Sequence, residues 1–83
     1  MKQTKKIHIS QIIVDKLPIN LKTLSLIDYI RNYPNIILAP ITVELLSDGK
    51  YKLKNGRHRY LAFKMLEIPL IIAKIINSQN LNK

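Results

Sequence analysis

The spacing of apolar positions changes along the chain, and each change marks an element. Ile7-His8-Ile9 alternates and begins a strand, which Ser10-Gln11-Ile12-Ile13-Val14 either extends or ends in a turn. Asp15-Lys16-Leu17-Pro18 breaks regular structure, and Asn20 is a residue type that caps a helix. Leu21, Leu24, Ile27 and Ile30 then recur every three residues, predicting a helix from Leu21 to Asn32 that stops before Pro34 and buries this stripe. After Pro40 the period falls to two: Ile41, Val43 and Leu45 face inward, with Thr42 and Glu44 on the other side. Ser47-Asp48-Gly49 is hairpin turn chemistry, and Tyr51 and Leu53 alternate with Lys50, Lys52 and Lys54 to form the returning strand. Beyond Asn55-Gly56 the period lengthens again, and Leu61, Ala62, Met65 and Leu66 fit a helix over residues 57–67. Pro69 opens the last strand, Leu70 to Ile76, which is apolar on both faces and reads as buried within a sheet.

The order β-α-β-β-α-β predicts an α+β fold, one small mixed sheet with helices packed on it. The 83 residues fit a single domain, with residues 1–6 a loose basic arm and residues 77–83 a polar tail. Hydrophobic content of 47% supports a small core of isoleucine and leucine. With no cysteine, neither a disulfide nor a cysteine-based zinc site is available, which fits a cytoplasmic protein. His8, alternating with two isoleucines, is expected to face solvent, and no metal site is expected. The last apolar run carries Lys74 and falls far short of the ~20 residues of a spanning helix, so no membrane partner is expected.

Charge adds the first functional constraint. A net charge of +9 predicts attraction to polyanions. Six of the basic residues lie between Lys50 and Lys64 with no acid among them, whereas Asp15, Asp28, Glu44, Asp48 and Glu67 surround that stretch. Its centre is a strand that ends at a glycine where a helix begins. A helix start exposes unpaired amides and the positive end of the helix dipole, and Arg57, His58 and Arg59 add charge-assisted donors there. Because guanidinium forks match phosphate oxygens, phosphate is the expected anion, held by Gly56, Arg57, His58 and Arg59. Lys50, Lys52, Lys54 and Lys64 form the surrounding patch expected to contact nucleic acid. His58 projects toward the face made by Leu61, Ala62 and Met65, so it is either a buried histidine bonded to a backbone carbonyl or a ligand contact through its other nitrogen. Arg57 sits at the polar edge with Lys64, where plain solvation is the alternative.

The stretch Gly56-Arg57-His58-Arg59-Tyr60-Leu61-Ala62 resembles the Gly-x-(Arg/His)-Arg-x-x-Ala signature of the ParB/sulfiredoxin superfamily, in the place where that family carries it. Pro40-Ile41-Thr42-Val43 is similar to the Pro-Ile-x-Val strand upstream of the hairpin in ParB-like domains. The resemblance runs from Ile7 to Ile76. It implies that Gly56, Arg57, His58 and Arg59 contact nucleotide phosphates, and that the cofactor is a nucleoside triphosphate, CTP or ATP, with Mg2+. Sulfiredoxins have a catalytic cysteine where this chain has Arg57, so sulfinic acid reduction is excluded. The helix-turn-helix and dimerisation domains that follow in ParB proteins have no counterpart in these residues, and a sliding clamp is not expected.

The reading is therefore a phosphate-binding module for nucleotide or nucleic acid, acting in DNA maintenance, partition or regulation. A homodimer or a larger protein partner is left open. The alternative is a phosphotransferase or nuclease of the same superfamily, which needs a carboxylate beside the cationic site. Glu44 is the catalytic candidate, since it is the acid on a strand next to that site; Asp48 and Glu67 are the other nearby acids, and a solvated strand residue is the alternative for Glu44.

Overall fold

A computed structural model of the chain describes residues 3–16 and 21–76. The elements are β1 (Gln3–His8), a 3-10 turn (Ile9–Gln11), β2 (Ile12–Ile13), α1 (Leu21–Asn32), β3 (Ile41–Leu45), β4 (Tyr51–Asn55), α2 (Arg57–Met65) and β5 (Leu70–Ile76). The strands form one mixed sheet in the order β1-β5-β3-β4-β2. β1 runs antiparallel to β5 and β3 antiparallel to β4, while β3 with β5 and β2 with β4 are parallel. The α+β order holds, with the short β2 as an added edge strand.

The central strands supply the core. Ile41, Val43 and Ala73 are fully buried, and Ile7, Ile12, Tyr51, Leu53, Tyr60 and Ile71 close around them. A second cluster joins Ile27 and Ile30 of α1 to Ala62 of α2. Three consecutive residues of α2, Tyr60, Leu61 and Ala62, are buried because the helix lies between the sheet on one side and α1 on the other. The core lies to one side of the sheet, and this one-sidedness accounts for a departure from the sequence pattern in β5, while position at the strand end accounts for one in β3. In β5 only Ile71 and Ala73 are buried, and Ile72, Lys74 and Ile76 keep partial exposure on the uncovered face. Leu45, read as inward, is 40% exposed at the end of β3.

The buried stripe of α1 is Thr23, Ile27 and Ile30, whereas Leu21 and Leu24 are exposed. At 3.6 residues per turn, each step of three falls about 60° behind, so a stripe repeating every three residues winds around the helix and cannot be buried along its length. Spacings of four and three, as from Thr23 through Ile27 to Ile30, stay on one face. Met65 of α2 is likewise exposed. Residues 3–6, expected to be a loose arm, belong to β1 and pair with β5 from Gln3↔Ile75 to Lys6↔Ile72, since their backbone completes the edge of an otherwise unpaired apolar strand. The tail expected at residues 77–83 and the cap expected at Asn20 lie outside the described residues.

His8 ends β1 exposed, as expected, and organises the turn after it: its Nδ1 accepts from the Ser10 amide at 3.2 Å and from Ser10 Oγ at 2.8 Å. The hairpin between β3 and β4 closes as the sequence indicates. Leu46 N donates to Lys50 O at 2.8 Å, Gly49 N donates to Leu46 O at 3.0 Å, and Lys50 N donates to the Asp48 carboxylate at 3.0 Å.

Candidate phosphate-binding site

The site begins with an irregularity in β4. Val43 faces Leu53 but Thr42 faces Asn55, so Lys54 is one residue too many for the ladder. Such a bulge bends the strand and re-aims its end. The chain then turns through Gly56 at φ 100°, ψ 31°, the left-handed region, and enters α2. Two demands meet at this glycine. A side chain there would be strained by the backbone, and its Cβ would lie 2.6 Å from Cγ2 of the fully buried Ile41. The start of α2 is thereby pressed directly onto β3.

Gly56 is the N-cap of α2 and offers no side chain to its amides. The first helical bond runs from Tyr60 N to Gly56 O at 2.9 Å, so the amides of Arg57, His58 and Arg59 precede the helical ladder. No acid lies in the first turn. Most helix starts carry a Ser, Thr, Asp or Asn that satisfies these donors; here they open into a concavity of about 480 Å³ lined by Lys54, Asn55, Gly56, Arg57, His58 and Arg59. Every lining side chain is cationic, cationisable or a neutral donor, as an anion requires.

The three basic residues after Gly56 are held differently. Arg57 is exposed and projects freely. The His58 ring is half-buried, and its Nδ1 shares a hydrogen bond of 2.9 Å with the hydroxyl of fully buried Thr23 in the first turn of α1. The sequence suggested a carbonyl partner; the partner is a hydroxyl from the other helix, and the ring still lines the concavity. Arg59 folds back over Gly56, donating from Nη2 to Pro40 O at 3.4 Å, while its Nε is buried with no hydrogen-bond partner among the described residues. A buried, unpaired N–H costs about 1 to 3 kcal/mol, so this guanidinium is incompletely satisfied by the protein. Arg59 also walls an apolar cavity of about 220 Å³ behind the site, with Ile30, Leu38, Phe63 and Ile71.

Of the lysines expected around the site, only Lys54 lines it. It also reaches Glu44, Nζ to Oε1 3.6 Å, so Glu44 is the acid that lies next to the site. Asp48 belongs to the hairpin turn and Glu67 follows the far end of α2. Lys50 is exposed beside the turn, Lys52 extends from the uncovered sheet face, and Lys64 lies on α2 with Nζ 6.0 Å from the centre of the Tyr60 ring. The stretch from Lys50 to Lys64 is therefore not one surface. Thr23 and the Pro40 carbonyl were not read as part of the site; they lie 35 and 19 residues from their partners, and no local pattern marks them.

No protein-family model and no curated protein matches this chain. Solved structures do. Sulfiredoxin from Arabidopsis thaliana superposes with a TM-score of 0.74 at 27% identity, over 95% of this chain and 92% of its own. The C-terminally truncated chromosome-partitioning protein ParB from Caulobacter crescentus, complexed with CTP-gamma-S, gives 0.73 at 17% identity over 90% of this chain. A free serine kinase in complex with AMP gives 0.77 at 14% identity over 88%. The chain spans 44% of that ParB and 30% of the kinase. By its fold the chain, which has no cysteine, belongs to the ParB/sulfiredoxin superfamily.

Proposed function

We propose that the chain is a nucleotide-phosphate-binding module, with Gly56, Arg57, His58 and Arg59 as the cradle and Lys54 at its rim, acting in DNA maintenance, partition or regulation. One observation carries the reading: a helix start with neither a capping side chain nor an acid, opening into a concavity walled by cationic residues. Structures of the same fold that were solved with CTP-gamma-S and with AMP support a nucleotide as the source of the phosphate. A triphosphate would arrive with its magnesium already bound. Among the described residues no three His, Cys, Asp or Glu side chains gather to hold a metal, so phosphate oxygens and water would supply its ligands.

The test is a thermal-shift panel of CTP, ATP and the other triphosphates with and without magnesium. A nucleotide at ~100 times its dissociation constant adds about 2.7 kcal/mol, which raises the melting temperature of a domain this size by about 10 to 20 °C. Arg59→Lys keeps the charge and removes the two-point fork. Since hydrogen bonds to charged groups are worth about 1.5 to 3 kcal/mol, affinity should drop more than tenfold, while Lys52→Arg leaves it unchanged. Equal behaviour of the two variants, both folded by circular dichroism, removes the cradle.

A phosphotransferase or nuclease is the second reading, favoured by the placement of Glu44 beside Lys54 at the rim. It requires turnover: release of nucleoside diphosphate or cleaved strand in the same mixtures, lost in Glu44→Gln with binding retained.

A further inference from the structure

The strands present two faces of different character. One carries Ile7, Ile41, Val43, Tyr51, Leu53, Ile71 and Ala73 into the core. Side chains alternate across a strand, so the register places Thr4 and Lys6 of β1, Ile72, Lys74 and Ile76 of β5, Thr42 and Glu44 of β3 and Lys52 of β4 together on the other. Lys54 joins them, since its Nζ reaches Glu44. None of these residues belongs to either buried cluster, and only Lys6 and Ile72 also border the apolar cavity shared by Ile30 and Phe63. Lys6, Lys74 and the pair Lys52 and Lys54 are far apart in sequence, and only the strand order β1-β5-β3-β4 gathers them. Against four lysines stands one acid, Glu44, which faces Lys52 in register and pairs with Lys54.

We propose that this uncovered face binds the phosphate backbone of duplex nucleic acid. The inference rests on the role in DNA maintenance, partition or regulation proposed above and is independent of nucleotide binding at the cradle. Three properties select the occupant. The cations are lysines spread over three strands rather than forks converging on one point, which suits a repeating line of phosphates read without sequence preference. Thr4 and Thr42 flank Lys74 in register and add hydroxyl donors of the kind that contact phosphate and sugar. No aromatic residue lies on this face among the described residues, so bases have nothing to stack on and a single strand gains nothing over a duplex. A bilayer is a poorer fit, since Ile72 and Ile76 are half-buried between the lysines instead of protruding. A second copy, itself at +9, is repelled.

The regrouping is testable because it retains Lys52 and Lys54, adds Lys6 and Lys74, and drops Lys50 and Lys64. Binding of a mixed-sequence DNA duplex to the whole chain, followed by fluorescence anisotropy across a salt series, should give a logarithmic slope of about −0.9 per phosphate contacted. The double variant Lys52→Gln/Lys74→Gln should flatten that slope by about two and weaken binding at least tenfold at ~0.1 M salt. Lys22→Gln/Lys64→Gln removes the same charge from the helices and should leave the slope unchanged. Lys6→Gln, at an exposed position, reads one charge at a time and should flatten the slope by about one, which keeps the test valid if the double variant folds poorly. The proposal is overturned if the helix pair flattens the slope as much as the sheet pair. It is also overturned if single strands bind tighter than duplex, or if vesicles of anionic lipid or polyglutamate compete for the same lysines as strongly as the duplex does. Loss of duplex binding in Arg59→Lys alone would return the nucleic acid to the cradle.

Discussion

Gly49 and Gly56 have nearly the same backbone, φ 88° and φ 100°, and opposite surroundings. A Cβ on Gly49 would meet nothing within 4 Å, whereas one on Gly56 would run into Ile41. The first glycine answers only to the turn between β3 and β4. The second answers to the turn, to the core beneath it and to the helix start it exposes. Positive φ alone thus identifies a loop, and positive φ over a packed strand identifies a place where backbone is brought close for a reason. It is the second kind at which the amides of a helix start are left without a capping side chain.

The two glycines predict different losses for the same exchange. Alanine in the left-handed region costs about 1 to 2 kcal/mol, partly offset by about 0.4 to 1 kcal/mol from the stiffer unfolded chain. Gly49→Ala should therefore lose about 0.5 to 1 kcal/mol. At Gly56 the clash with Ile41 adds an overpacking cost of about 1 to 3 kcal/mol, for a total of about 2 to 4. Since a chain of this length holds roughly 4 to 12 kcal/mol, Gly56→Ala removes a large share of it. Urea midpoints decide the matter: equal losses at the two positions would mean that α2 yields freely and that the contact with Ile41 does not fix the site.

The proposed cradle is also tied to α1, through the hydrogen bond between Thr23 and His58. Thr23→Val preserves shape and removes the hydroxyl, at an expected cost of about 0.5 to 1.5 kcal/mol in the urea midpoint. Because the His58 ring loses its anchor at 2.9 Å, nucleotide affinity should fall severalfold beyond what a uniform loss of stability produces. Unchanged affinity would show that His58 supports α1 against α2 and takes no part in holding phosphate.

These cases show which parts of the molecule were legible in its sequence. The junction at Gly56, where β4 gives way to a helix that opens on Arg57, His58 and Arg59, could be read because a strand, a glycine and a basic helix start are contiguous and each has a local signature. The hairpin at Asp48-Gly49 was readable for the same reason. Burial was less so. Leu21 and Leu24 look like core and are exposed, while Thr23 looks like surface and is fully buried, because which side of α1 meets α2 depends on contacts with Ala62 that no local window contains. The sorting of lysines was hidden for a similar reason. Lys54 and Lys64 look equivalent in a count of charge, and only the bulge and the topology put one at the rim of the cradle and the other on the back of a helix.

A third left-handed residue sharpens the comparison from the other direction. Glu67 has φ 59° although it carries a side chain. It closes α2: Glu67 N donates to Lys64 O at 3.1 Å and Ile68 N to Phe63 O at 2.9 Å, the paired bonds of a Schellman turn, in which glycine is the usual residue at this position. Ile68 is carried by that turn onto the cluster of Ile27, Ile30 and Ala62, so the strain is held in place by packing. Glu67→Gly should relieve about 1 to 2 kcal/mol of strain and give back about 0.4 to 1 kcal/mol through the more flexible unfolded chain, a net gain of roughly 0.5 to 1 kcal/mol. The effect is small and its sign is opposite to that of any change at Gly56. A raised urea midpoint with unaltered nucleotide affinity would show that the two ends of α2 are separable, the far end tunable for stability and the near end committed to the anion. A gain in stability accompanied by weaker binding would instead mean that tension along α2, from Glu67 to Gly56, helps to hold the cradle open.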